Sequence, residues 1–327
     1  LTYVFGTPTR PLVASGRGTR NAAAGFAHYE FHPVDRLRFV VEGRYDLFRD
    51  SFRPYEPDPG LTINSDFAAF SPRVGLNLKW IESAQQTGHL YMTAARTFKA
   101  PSSDQLFDQR VVPVFPGVNK PVSNPMLRPQ HGVNLEAGIY HGVVIDPGFW
   151  TADMSLAVYQ MDMEDEINFD VATFALGNID ESRHRGVELG MNFRGPSAST
   201  FYLNYALQDV IAKSGVNSGN FLKAIPRHIL SSGASGTLIR NLEMGVYLTR
   251  HSRAWLDDEN TAHLPGFTRI DTRTSLSVRN FEFSLEVLNL FNRKYSTTGF
   301  LDPDLGEMPL LFPAAKRVLE VGFRLGV

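Results

Sequence analysis

RGVELGMNF, residues 185–193, sends Val187, Leu189, Met191 and Phe193 to one side and Gly186, Glu188, Gly190 and Asn192 to the other. A two-residue alternation of apolar and polar side chains marks a strand whose faces meet different surroundings. Around Val133 the same pattern sets Val133, Leu135, Ala137 and Ile139 against Asn134, Glu136, Gly138 and Tyr140. Near the C-terminus Leu319, Val321, Phe323 and Leu325 oppose Glu320, Gly322, Arg324 and Gly326, and further runs begin at Phe201, Leu242, Ile270 and Phe281. The period predicts strands at 20–31, 36–48, 69–80, 88–98, 130–141, 149–162, 182–194, 200–210, 226–238, 242–252, 268–279, 281–290 and 316–327, with a partial strand opening the chain. Strands in soluble proteins average about 5–6 residues, whereas a tilted membrane-spanning strand needs about 9–11. Length therefore favours an all-β, transmembrane antiparallel β-barrel with about 14 strands present.

The connections sharpen that reading. Short links fall at 32–35, 81–87, 142–148, 195–199, 239–241 and around Arg279–Asn280; long ones fall at 49–68, 99–129, 163–181, 211–225, 253–267 and 291–315. They alternate from one end of the chain to the other, as the periplasmic turns and outer loops of a membrane barrel do. Phe31, Trp80, Phe149, Trp150, Phe193, Phe201 and Phe281 lie beside the short links, where amphipathic rings would form an interfacial girdle.

Composition excludes other classes. Lys plus Arg is 32 and Asp plus Glu is 34, so no excess charge calls for nucleic acid. The absence of Cys removes disulfides, thiolate metal sites and a Cys nucleophile. No apolar run reaches the roughly 18 residues of a membrane helix. Leu1 to Arg10 carries no signal-peptide pattern, which suits a mature chain or a fragment, and the fragment is the reading adopted. No nucleophile elbow, phosphate-binding loop or His-Glu-x-x-His pair is found. No catalytic residue, cofactor or metal site is expected.

Four segments carry a resemblance to a known family. LYMTAARTFKAPSSDQLF (Leu90 to Phe107), LRPQHGVNLEAGIY (Leu127 to Tyr140), NIDESRHRGVELGMNF (Asn178 to Phe193) and the stretch from Ile270 to Tyr295, ending NLFNRKY, resemble in order and spacing the C-terminal barrel of TonB-dependent outer-membrane receptors. The match spans about residues 88–327. Lys99 stands where that family usually has Arg, and Val327 where its chains commonly end in an aromatic residue. The resemblance implies a barrel of about 22 strands filled by a plug. Residues 1–327 would form its C-terminal portion, with the plug domain and the TonB-contacting segment not recognisable here. It also implies residence in the bacterial outer membrane and uptake of a ferric siderophore or similar chelate, driven through TonB. Haem, cobalamin or an oligosaccharide would suit the same architecture.

Two groups of residues are candidates for function. Glu136, Glu188, Asp271, Arg273, Glu286 and Glu320 lie on polar strand faces, where they would line a lumen or meet the plug. Tyr55, Phe107, Arg110, Phe115, Trp255, Phe300 and Phe312 fall on long connections, where rings and a guanidinium suit an anionic chelate. The bland readings are a hydrated wall and self-packing of long loops. The acidic run Asp162, Glu164, Asp165 and Glu166 reads as a solvated strand tip rather than a Ca²⁺ loop, since it lacks the spacing and central Gly.

Three rival readings remain at this stage. A complete smaller passive channel, of porin or fatty-acid-channel type, explains the alternation and the loop asymmetry equally well, but not the family-like segments. An outer-membrane barrel enzyme needs a convergent set, for which Ser102, Ser103, Asp104 and His131 are the material. A soluble propeller needs repeats about 40–50 residues long, and none is found.

Overall fold

In a computed structural model, the structure describes residues 15–56, 60–108, 111–115, 118–121, 123–146, 150–170, 175–302 and 308–326. Strands β1 (Ser15–Val34), β2 (Leu37–Glu56), β3 (Ile63–Glu82) and β4 (Gln86–Lys99) come first. The next connection carries helix α1 (Ser103–Phe107) and a small hairpin, β5 (Val111–Phe115) with β6 (Val118–Pro121). Then follow β7 (Gln130–Asp146), β8 (Trp150–Asp170), β9 (Ala175–Arg194), β10 (Thr200–Ala212), β11 (His228–Ile239) and β12 (Leu242–His251). A loop hairpin of β13 (Ala254–Trp255) and β14 (His263–Leu264) precedes β15 (Phe267–Val278) and β16 (Phe281–Leu288). A second hairpin, β17 (Ser296–Asp302) with β18 (Met308–Pro313), precedes β19 (Val318–Leu325).

Thirteen of these strands form one antiparallel sheet in sequence order from β1 to β19, and the three small hairpins stand outside it. Each of the thirteen strands expected from the alternation has its counterpart. The partial strand expected at the chain start falls outside the described residues, and so do Phe149 and Arg110. Two expected loops are corrected. Residues 49–68 and 163–181 mostly extend the β2–β3 and β8–β9 hairpins, reaching Glu56, Ile63, Asp170 and Ala175. The acidic run therefore lies within β8 rather than at its tip. Asp165 there takes a φ of 58°, yet the register runs on unchanged from Glu164↔Glu181 to Glu166↔Ile179. Charges interrupt the alternation at that point, but pairing above a membrane needs backbone partners and no apolar face.

Register makes one face of the sheet continuously apolar. Leu90 faces Ile139, which faces Leu156, then Leu189 and Tyr205; at the other side Leu276, Phe283 and Phe323 share a row. Leu135, Val158, Val246 and Phe283 on this face are exposed despite their chemistry. A contiguous apolar surface of that extent is what a barrel presents to lipid. Phe39, Met92, Leu135 and Val158 border a shallow groove of about 640 Å³ on it. Trp80, Trp150, Phe201 and Phe281 sit at the short-turn end, where Phe193 meets Phe201 at 5.9 Å and Phe281 meets Phe323 at 5.7 Å.

The opposite face is polar, and glycine lets tyrosine lie flat on it. A Cβ at Gly138 would stand 2.6 Å from the Tyr91 ring, and one at Gly233 would meet both Tyr202 and Tyr247. Rings laid over glycine hide backbone and fix neighbouring strands. The two-residue link between β11 and β12 places Asn241 at φ 73°, a left-handed value that Asn tolerates in tight turns.

A single sheet layer has no interior of its own, so buried clusters occur under the long connections. Leu106, Phe107 and Leu127 pack with Phe52, Phe67, Ile167 and Leu176; Val210, Ala212 and Leu222 pack with Ile179 and Ile225. Among the described residues no helix is long and apolar enough to cross a membrane. The outer edges of β1 and β19 are unpaired among the described residues.

Candidate functional site

All the long connections leave the same end of the sheet, and the side chains they carry build two assemblies there. The first rests on the tops of β1 to β4. Ser102 and Gln105 form a capping box at α1, with the Ser102 N–H donating to Gln105 Oε1 at 2.9 Å. Arg20 fixes this loop to the sheet. Its guanidinium donates to both carboxylate oxygens of buried Asp50 at 2.7 Å and to the Pro101 carbonyl at 2.7 Å. Phe107 stacks on Phe52 with centroids 5.4 Å apart, and Asn124 donates to the Leu176 carbonyl of the β8–β9 hairpin.

The second assembly joins residues 213–225 to the β13–β14 hairpin. Asn260 copies a strand partner: its Oδ1 accepts from the Phe221 N–H and its Nδ2 donates to the Phe221 carbonyl. Lys223 reaches Asp258 at 2.6 Å, Asn220 donates to the Asp258 carbonyl, and the Ala224 N–H donates to the Trp255 carbonyl. Asp257 closes the hairpin by accepting from the Thr261 N–H, the Thr261 hydroxyl and the Ala262 N–H at 2.8–3.0 Å. Burial alone would raise its carboxyl, but these donors outweigh it and hold the group below the ordinary carboxylate range. Beside this assembly lies a pocket of about 250 Å³, bordered by Asn168, Asn178, Asn217, Asn220, Phe221 and Asp258. Asp258 Oδ1 is buried there without a hydrogen-bond partner.

The predicted loop residues divide between these assemblies. Tyr55 is exposed at the top of β2. Phe107 is buried in the loop core, so self-packing accounts for its ring in this structure. Phe115 lies in β5, and its side chain is outside the described residues, as is the whole of Arg110. Trp255 meets His263 edge to face at 5.9 Å. Phe300 and Phe312 pair across β17 and β18 at 5.8 Å, and Phe312 remains exposed. Leu256 and Gly299 bring the β13–β14 and β17–β18 hairpins together.

The polar strand residues fall into four situations. Glu136 accepts from the Tyr91 hydroxyl at 2.7 Å. Glu188 lies one row away, between Ala157 and Ala206, and is exposed. Arg273, Glu286 and Glu320 share one cross-strand row on the polar face. Asp271 differs from the expectation of a lumen-facing charge. It is buried, taking Arg269 at 2.9 Å and the Asn289 N–H at 2.8 Å, because it anchors the turn after β16.

Sequence reasoning missed Arg20, Asp50, Asp258, Asn260 and Asn289. Aspartate inside a long strand is a weak signal, being poorly suited to strands. The asparagines gave none, since their partners are distant in sequence. The enzyme alternative finds no support in geometry: Ser102 caps α1, while His131 packs on Phe98 at 5.6 Å. Ser182 and His184 both address Glu166 Oε2 and lie 3.3 Å from each other, but the Ser182 hydroxyl donates to the carboxylate and is fully buried, out of reach of a substrate. Among the described residues no group of three or more His, Cys, Asp or Glu is placed to hold a metal.

Comparisons with known proteins complete this description. The family model described as TonB dependent receptor-like, beta-barrel, matches residues 2–290. No curated protein matches the chain. Among solved structures, the ferric yersiniabactin uptake receptor FyuA of Yersinia pestis is similar with a TM-score of 0.73 at 17% identity, over 95% of this chain and 46% of that one. The siderophore receptor PiuA of Acinetobacter baumannii gives 0.72 at 16% identity, over 94% and 44%. The copper transporter OprC gives 0.69 at 17%, over 94% and 48%. The chain thus spans about half the length of these structures, and likeness at such identity concerns the fold.

Proposed function

The chain belongs to the TonB-dependent receptor-like β-barrel family, and on that premise we propose that residues 1–327 are the C-terminal barrel portion of an outer-membrane uptake receptor. The cargo is a metal chelate, in the first place a ferric siderophore, and energy arrives through TonB. The observation that carries this reading is the family match over residues 2–290, on a sheet with a continuous apolar outer face and every elaborate connection at one end. A passive channel would share that asymmetry but not the match. The cargo classes of FyuA, PiuA and OprC, two siderophore receptors and a copper transporter, support a metal-bearing ligand. On this reading the protein is a receptor and has no catalytic chemistry.

Cargo meets Tyr55, Arg110, Phe115, Trp255, Phe300 and Phe312 on the outer loops, with Phe107 holding the first loop in shape. Rings stack on the organic part of a chelate, and the guanidinium answers its negative charge. Glu136, Glu188, Arg273, Glu286 and Glu320 face the plug, whose movement lets the cargo descend. The test uses the intact receptor in iron-starved cells supplied with radiolabelled ferric siderophores. Uptake that stops when TonB is deleted supports the proposal. Uptake that persists without TonB, or steady conductance of the protein in planar bilayers, replaces it with the passive channel.

A further inference from the structure

The turn after β16 and the approach to β19 bring four cations together at the outer end of the sheet. Asn289 is buried and accepts from the Arg293 N–H at 2.9 Å, while its own amide donates to the carbonyls of Arg293 and Ala315. Asn292 Oδ1 accepts from the Arg317 N–H at 3.0 Å, and the Ala314 N–H donates to the Tyr295 carbonyl. These bonds lay residues 293–294 beside residues 315–317. Arg293, Lys294, Lys316 and Arg317 are all exposed, and none has a carboxylate partner among the described residues. Among the described residues, the acids around this turn are committed elsewhere or lie further down the sheet. Asp271 is buried on Arg269 and Asn289, and Glu286 with Glu320 lies two residues down the polar face. Elsewhere at this end arginines hold carboxylates, as Arg128 does with Asp165 and Arg227 with Asp209.

Height decides what such a patch meets. With Lys316 and Arg317 before its eight residues, β19 gives roughly 33 Å of extended chain at about 3.3 Å per residue, which at a tilt of about 40° rises about 25 Å, the height of the apolar band of a membrane barrel. The outer end of β19 therefore arrives at headgroup level and not in a vestibule far above it. Arg317 is in phase with Leu319, Val321, Phe323 and Leu325, all exposed on the apolar face, and Phe291 is exposed at the same turn. Four like charges gathered at one turn repel each other, an unfavourable arrangement unless an anion is shared among them.

From this juxtaposition we propose that Arg293, Lys294, Lys316 and Arg317 form a docking site for a phosphate-bearing lipid of the outer leaflet. Phosphate groups lie on the four cations, and acyl chains run down the column from Leu319 to Leu325. The proposal rests on the orientation adopted under the proposed function, with the long connections outside the cell. The test purifies the intact receptor in detergent and measures its binding to lipid A carrying two phosphates, to the same lipid with its phosphates removed, and to inorganic phosphate. Binding of the phosphorylated lipid alone, weakened roughly tenfold or more in the Arg293→Gln, Lys294→Gln, Lys316→Gln, Arg317→Gln variant, is expected. A Lys294→Arg, Lys316→Arg variant should bind as the parent does and controls for folding. Equal binding by the neutralised variant, indifference to the lipid phosphates, or full displacement by inorganic phosphate overturns the proposal. Continued TonB-dependent uptake by the neutralised variant would confine such a failure to the lipid site and leave the transport reading standing.

Discussion

Two walls of the same sheet cross one apolar band but stand to different heights. β1, β2, β3 and β9 have 20 residues each and β8 has 21, whereas β12 has 10 and β16 and β19 have eight. The tall wall carries its outer structure as continued strand pairing. The low wall carries it as separate hairpins, β13–β14 and β17–β18, tied down by Asp257, Asn260 and Asn289. Height above the membrane is thus obtained in two ways, by ladder hydrogen bonds on one side and by side-chain-to-backbone bonds on the other. Ladder bonds depend little on pH or on any single side chain, while the hairpins depend on a few amides and carboxylates, Asp257 among them.

The largest effect should come from a place where the tall wall depends on a buried charged side chain. Asp50 is 1% exposed and Arg20 30% exposed, and removing one member of such a pair costs about 3 kcal/mol. Asp50→Ala in the intact receptor should open residues 100–129 to protease and leave the β13–β14 hairpin protected. Unchanged protection would mean that α1 and its hydrophobic cluster hold the loop without the ion pair. A smaller effect tests whether the two walls share one band. Leu156 on the tall wall and Val246 on the low wall are each 42% exposed, and Arg on a lipid face costs about 2 kcal/mol or more. Leu156→Arg and Val246→Arg should lower unfolding stability in lipid by similar amounts, and a twofold disparity would break the comparison. The smallest concerns acid. Asp257 is held below its ordinary range in the folded hairpin, so the stabilisation it provides is complete above the unfolded value and is lost as pH falls through the folded one. Hydrogen exchange in residues 253–264 should accelerate on acidification within the carboxylate range, while the β2–β3 hairpin does not respond. Asp257→Asn should remove the dependence, and an acid response that survives in that variant assigns it elsewhere.

The walls were legible in the sequence because alternation records two solvents, and thirteen strands follow from it. Where the surroundings become uniform the record ends. Above the membrane both faces of β8 and β9 meet water or loop, so Asp162 to Glu166 looked like the end of a strand that continues to Asp170. The candidate site was less legible for a related reason. Tyr55 and Phe312 were placed on outer connections by length alone, but whether a ring points out or inward, as Phe107 does, depends on contacts with Phe52 and Leu127 from distant segments. Asn260 and Asn289 organise the low wall through bonds to backbone that no local pattern announces.

The alternation along each strand also governs how such a chain can change over time. Neighbouring positions belong to hydrocarbon and to water, so inserting one residue within β9 would exchange the surroundings of every side chain until the next turn. Deletions and insertions can accumulate in the connections, where phase carries no meaning, while the walls can be altered only by replacement in place. A lineage built this way keeps its scaffold and rewrites what it recognises.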